Sequence, residues 1–196
     1  MNILVISDIE SVSLWDYFEY DKIKDIDLIL SCGDLDAQYL SFLVTFANCP
    51  LLYVHGNHDG RYERRKPEGC ICIEDQIYTY KGIRVLGLGG SYRYSGGMHQ
   101  YTQSEMKWRV KKLWFQLRRK KGFDILLTHA AAFGIDDAED LPHTGFHAFT
   151  ELIEKYMPKY FIHGHIHLNY GIEHVRKMKY KETMIINGYE SYRFVY

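Results

Sequence analysis

The sequence predicts an α/β fold in which a pair of mixed sheets is flanked by helices. Three observations carry that expectation. Five short apolar runs each end on a polar turn, amphipathic segments with helix-capping signals lie between some of them, and the remaining stretches alternate like antiparallel strands around glycine-containing turns. Taken in order, Asn2–Ser7 is a β-branched and leucine run ending at Asp8. Asp27–Cys32 ends at Gly33-Asp34, and Leu51–His55 ends at Gly56-Asn57. Ile71–Leu88 reads as antiparallel strands turning at Lys81-Gly82. A helix is expected from Gln103 to about Lys121. Its start is a Thr102-Gln103-Ser104-Glu105 capping box, its apolar face is Met106, Val110, Leu113 and Leu117, and Gly122 supplies the stop after four basic residues. Asp124–Thr128 is a strand ending at His129. Phe146–Met157 is a second helix halted by Pro158. Tyr160–His163 is a strand ending at Gly164-His165, and Tyr170–Tyr196 reads as further strands with a turn near Asn187-Gly188.

The 196 residues suit one domain, 1–196, since no repeat, low-complexity tract or Pro/Gly/Ser linker divides them. Hydrophobic residues make up 46%, enough for a sizeable core. The net charge of −1 gives no global signal for nucleic acid or an anionic membrane. No run is long and apolar enough to span a bilayer, and the first residues lack the cationic and small-residue features of a signal peptide. Cys32, Cys49, Cys70 and Cys72 lack zinc-finger spacing and fit reduced, mostly buried thiols, so a cytoplasmic protein is expected.

Chemistry concentrates on the turns, where α/β proteins build sites beyond the carboxyl ends of their strands. Gly56-Asn57-His58-Asp59 and His163-Gly164-His165-Ile166-His167 both follow apolar runs. With Asp8, Glu10, Asp34 and His129 they supply enough oxygen and nitrogen donors for two metal ions.

The ordered set Asp8-Ile9-Glu10, Gly33-Asp34, Gly56-Asn57-His58-Asp59, His129 and Gly164-His165-Ile166-His167 resembles the calcineurin-like metallophosphoesterases over nearly the whole chain. The resemblance implies a four-layer α/β/β/α sandwich. It also implies Asp34 between two cations, with Asn57, His129 and His165 completing one site and Asp8, Glu10 and His167 the other. His58 matches the family's general-acid or transition-state-stabilising histidine, and Asp59 is placed to orient it. The implied cofactors are two divalent ions, Mn or Fe ahead of Zn, Ni or Mg. One position departs from the pattern: the family has histidine where this chain has Glu10. A ligating Glu10 adds a negative charge worth roughly 4 kcal/mol at about 4 Å and an effective dielectric near 20. That favours a monoanionic diester over a dianionic monoester, and Mn, Fe or Mg over Zn.

Around the motifs, Arg61 and Arg93 are candidates to hold a phosphate, Arg61 with the neighbouring Arg64, Arg65 and Lys66, and Arg93 within the glycine-flanked loop 89–97. Asp136–Asp140 is an acidic stretch that would repel long polyanions. His55, His143, His147 and His163 read as ordinary histidines, and the cationic face from Lys107 to Lys121 as a solvated helix face. The resemblance therefore implies a metal-dependent phosphoric ester hydrolase. It would cleave a phosphodiester or phosphomonoester with a small leaving group by attack of a metal-bridging hydroxide. Two other readings are a nuclease acting on short or structured nucleic-acid ends and a non-catalytic metal-binding scaffold resembling the small retromer subunit. The partner expected is a small phosphate ester, with extended nucleic acid and membrane both disfavoured.

Overall fold

Alternation within each strand sets the layering. The computed structural model describes residues 1–168 and 175–196. The first sheet holds β1 (Asn2–Ser7), β2 (Leu28–Ser31), β3 (Leu51–Tyr53) and β4 (Ile71–Cys72), all parallel. The second has at its centre β6 (Ile83–Leu88), β9 (Ile125–Thr128), β10 (Tyr160–His163) and β12 (Thr183–Asn187), also parallel, with β5 (Gln76–Tyr80) and β11 (Lys177–Tyr180) as antiparallel edges. A minor parallel pair, β7 (Ser91–Tyr92) and β8 (Gln100–Tyr101), frames the intervening loop. The last strand, β13 (Glu190–Val195), returns to pair antiparallel with β1.

Successive residues of a strand face opposite sides. Ile3, Val5, Leu28, Leu30 and Leu52 accordingly meet Val85, Ile125, Leu127, Ile162 and Ile186 in a core between the sheets. Leu4, Ile6, Ile29 and Leu51 point the other way, onto Tyr39, Leu40 and Leu43 of α1 (Ala37–Phe46). Leu86, Leu126 and Phe161 pack outward on Met106, Leu113, Leu117, Phe149 and Leu152. These come from α2 (Gln103–Lys112), α3 (Trp114–Lys120) and α4 (His147–Tyr156). Three cores separate four layers, so the fold is the α/β/β/α sandwich of two mixed sheets flanked by helices.

The five strand runs fall where the sequence put them, and Lys81-Gly82, both at positive φ, turn the β5–β6 hairpin. Three elements differ. β4 lies parallel to β3 in the first sheet, so Ile71–Leu88 is a crossover between sheets followed by one hairpin; strand alternation does not report the partner. The long helix keeps its capping box but breaks at Leu113, whose N–H bonds the Val110 carbonyl three residues back. Helix α1 was not anticipated, although Asp36 caps it by accepting from the Gln38 N–H at 2.7 Å. Of the expected strands in Tyr170–Tyr196, residues 170–174 lie outside the described residues. Among the described residues, no helix is long and apolar enough to cross a membrane.

Candidate metal centre

The ends of β1, β2, β9 and β10 point four loops at one place, and close backbone approach holds them there. A Cβ on Gly56 would lie 2.0 Å from Asp34 Oδ1, and one on Gly164 would lie 2.0 Å from Ser7 Oγ. Three candidate ligands, Asp8, Asp34 and His165, have left-handed backbones with φ of 68°, 58° and 64°. Such strain in non-glycine residues persists where surrounding bonds over-determine it, and it clusters at functional sites. The bonds are present here. The Asp8 N–H donates to the Gly33 carbonyl at 3.1 Å, the Asp34 N–H to Asp59 Oδ2 at 2.8 Å, and the His165 N–H to Asp8 Oδ2 at 3.0 Å.

One ligand atom from each of Asp8, Asp34, His129 and His165 falls within 4.8 Å of the others. Both imidazoles are oriented from behind. His129 Nδ1 lies 2.9 Å from the Cys32 carbonyl and His165 Nε2 lies 2.9 Å from the Pro142 carbonyl. A carbonyl only accepts, so those nitrogens carry the protons. The inward atoms of the neutral rings, His129 Nε2 and His165 Nδ1, are then lone-pair bearers, 3.1 Å apart. Asn57 Oδ1 joins them at 3.0 Å from His129 Nε2, its amide turned by an Nδ2–H bond to the Tyr94 hydroxyl at 3.2 Å. With both rings neutral, three acceptors and two carboxylates converge with no side-chain donor among them. That donor set fits a cation of the borderline kind that takes both imidazole and carboxylate.

The electrostatics point the same way. Burial alone would raise the Asp34 carboxyl, but His129 and the His58 N–H, which donates at 2.7 Å, hold it far below the carboxylate range. Burial opposes charge on His129, yet Asp34, Asp8 and Asp59 push its pKa up to about 9. Burial and the neighbouring His129 drive His165 down to about 3. Asp8 is raised by burial, and Asp59 is raised to about 6 by burial and by Asp34. The cluster demands positive charge, and a proton on His129 is the nearest internal source.

Asp8, Asp34 and His165 line a cavity of about 430 Å³ together with Asn57, His58, Tyr94, Pro142, His143 and His167, while His129 and Asp59 are fully buried and do not line it. His58 is exposed at its rim, and His167 Nε2 stands 3.9 Å from Asp8 Oδ1. Asp59 does not reach His58's ring in any described bond. Its buried carboxylate accepts the Gly56 and Asp34 N–H groups, each at 2.8 Å, and so ties the two loops together. The structure does not bring Glu10 into the cluster. Its carboxylate accepts the Asp36 N–H at 2.7 Å and faces a neighbouring depression. Arg61 lines that same depression, 3.4 Å from Asp36, and Arg93 pairs with Glu105 at 2.9 Å, so neither guanidinium lines the cavity.

Sequence reasoning placed Tyr94 only within the glycine-flanked loop 89–97, read His143 as an ordinary histidine and passed over Pro142, whereas the fold delivers all three to the cavity. The glycines around Tyr94 mark a loop, but nothing local tells that its hydroxyl meets Asn57. The acidic stretch before Pro142 is bonded to residues on either side of it and to His163. Asp136 pairs with His163 at 3.2 Å, Asp137 accepts the Gly134 and Gly145 N–H groups, and Asp140 meets His143 Nδ1 at 2.6 Å.

Among solved structures, one superposes with a TM-score of 0.66 at 14% identity, covering 96% of this chain and 90% of its own. The structure of TT1561 of Thermus thermophilus gives 0.60 at 16% identity, over 96% and 89% of the two chains. That of 5'-nucleotidase from Candida albicans SC5314 gives 0.58 at 13%, over 95% of this chain and 45% of the other. At such identities the likeness is one of fold. No curated protein matches by sequence. The calcineurin-like phosphoesterase family matches residues 1–169, in which all the motif residues lie. The chain belongs to the calcineurin-like phosphoesterase family.

Proposed function

We propose that residues 1–196 form a single-domain, dinuclear metal-dependent phosphoesterase acting on a small phosphodiester or phosphomonoester. The observation that carries this reading is the convergence of Asn57 Oδ1, His129 Nε2 and His165 Nδ1 with the Asp8 and Asp34 carboxylates beside a cavity that all of these residues but the buried His129 line. Asn57, His129 and His165 would hold one ion, Asp8 and His167 the other, with Asp34 shared. Mn or Fe suits this donor set. When bound, such ions polarise a phosphoryl oxygen and acidify the attacking water.

The chain's own residues do the rest. His58, on the rim beside Asn57, delivers a proton to the departing alkoxide oxygen. Asp34 fixes the His58 backbone through its N–H, so the ring is referenced to the ligand cluster. Asp59 positions both loops from beneath. Glu10 Oε1 is engaged by the Asp36 N–H, and Arg61 and Arg93 are paired with Asp36 and Glu105 outside the cavity. The cavity's described lining contains no lysine or arginine, which favours a small ester over an extended nucleic-acid strand.

The test is turnover of a chromogenic phosphodiester and monoester by the Mn-reconstituted protein, with His58→Ala and His129→Ala beside it. His129→Ala should lose metal and activity together. His58→Ala should keep its metal and lose about 10²–10⁴ in kcat. Metal-replete protein inert to every ester would instead support the scaffold reading.

A further inference from the structure

Eight of the chain's 24 basic residues, but only one of its 25 acidic residues, fall between Gln103 and Lys121. The chain's near-neutral total conceals this. On the fold, Met106, Arg109, Leu113 and Leu117 turn inward, and the outer face of α2–α3 is left with Trp108, Trp114 and Phe115 at 59%, 61% and 63% exposure. Helical spacing interleaves these rings with exposed Lys111, Lys112, Arg118 and Arg119. Lys107 is paired with Glu151 at 3.1 Å and Lys120 with Thr79 Oγ1. Among the described residues, no carboxylate lies within ion-pair distance of the four interleaved cations.

We infer that the outer face of α2–α3 docks the protein on an anionic lipid surface, with Trp108, Trp114 and Phe115 entering the headgroup region and Lys111, Lys112, Arg118 and Arg119 meeting the lipid phosphates. Exposed indoles and a phenyl ring among lysines and arginines match the interface between water and an acidic bilayer. The geometry disfavours the other acidic partners. Lys112 lies 5.9 Å from the Trp108 ring centroid and Arg118 lies 5.8 Å from that of Trp114, so a cation of its own chain competes with a stacking base for one face of each indole. A peptide helix needs a groove. The apolar groove nearby, about 330 Å³ between α2–α3 and α4, has Trp114 at its edge but neither Trp108 nor Phe115 in its lining. A two-fold pairing with a second copy would set the same four cations against each other.

The test uses the full chain and sedimentation with vesicles of phosphatidylcholine alone or mixed equally with phosphatidylglycerol, together with tryptophan emission. Binding should be confined to the anionic vesicles, blue-shift the emission and vanish at high salt. Lys111→Ala with Arg118→Ala should weaken binding about thirtyfold, as expected for two lost cations. Trp108→Ser with Phe115→Ser should remove most of the blue shift. Both double variants should hydrolyse a soluble chromogenic ester as the parent does, which separates misfolding from lost docking; if the parent hydrolyses none, matching thermal melts serve instead. Equal binding to both vesicles, no binding, or binding indifferent to these variants overturns the inference. So does binding to a single-stranded oligonucleotide without vesicle binding, or self-association through this face.

Discussion

Glu74 joins the two sheets immediately behind the candidate centre, and replacing it with glutamine tests how that joint works. Its carboxylate accepts the His55 N–H at 3.1 Å, the His55 ring Nδ1–H at 3.1 Å and the Gly89 N–H at 2.7 Å, and it pairs closely with Arg109. Arg109 in turn donates to the Gly89 carbonyl at 2.8 Å and to Asp75, and lies over the Tyr101 ring at 4.3 Å. One carboxylate therefore ties the end of β3, the end of β6 and helix α2, one residue before the loop that carries Asn57. Burial alone would raise its pKa. The His55 hydrogen bond and the Arg109 charge overcome burial and bring it from 4.5 to about 2.

At about 1.4 kcal/mol per tenfold, that interval is worth about 3 kcal/mol to the folded state. The side chain is 20% exposed, so solvent trims the figure to about 2–3 kcal/mol. Glu74→Gln keeps the shape but removes the charge and turns an N–H toward Arg109 or His55. It should cost about 2–3 kcal/mol in urea unfolding at neutral pH, or about 5–10 °C in Tm for a chain of this size. Because the folded pKa is depressed, the contribution is complete above the unfolded value of 4.5 and disappears as pH falls toward about 2. The gap between parent and variant should therefore be constant from neutral pH down to about 5 and shrink below it. A gap under about 1 kcal/mol at neutral pH would refute the clamp, and so would one that persists unchanged at about pH 3.5.

Three further outcomes follow from the site. Gly56→Ala would drive a Cβ to within 2.0 Å of Asp34 Oδ1, so it should lose bound Mn in a metal assay and lower stability by about 1–3 kcal/mol. Glu10→Ala should leave metal stoichiometry unchanged and kcat within about threefold, because the Glu10 carboxylate faces Asp36; loss of one ion per chain would make Glu10 a ligand instead. With His129 raised to about 9, Mn uptake near neutral pH must displace its proton, and affinity should rise as pH increases toward that value. Calorimetry in two buffers of different ionisation enthalpy would show about one proton released, and none released would contradict the assignment of His129 as a ligand.

Features that depend on neighbours along the chain were legible in the residue order. Short apolar runs marked β1, β2, β3, β9 and β10, and the turn after each run marked Asp8, Asp34, Asn57, His129 and His165. The Thr102–Glu105 box fixed a helix start, because its bonds span three residues. The choices among competing partners were made by packing. β4 pairs with β3 and not with β5, Glu10 turns to the Asp36 N–H and not to Asp8, and Arg61 and Arg93 take Asp36 and Glu105 as their carboxylates. Tyr94 reaches Asn57, 37 positions away, and His129 reaches the Cys32 carbonyl, 97 positions away. A polar group binds whichever partner the packed chain brings within about 3 Å, and short-range patterning carries no information about that distance.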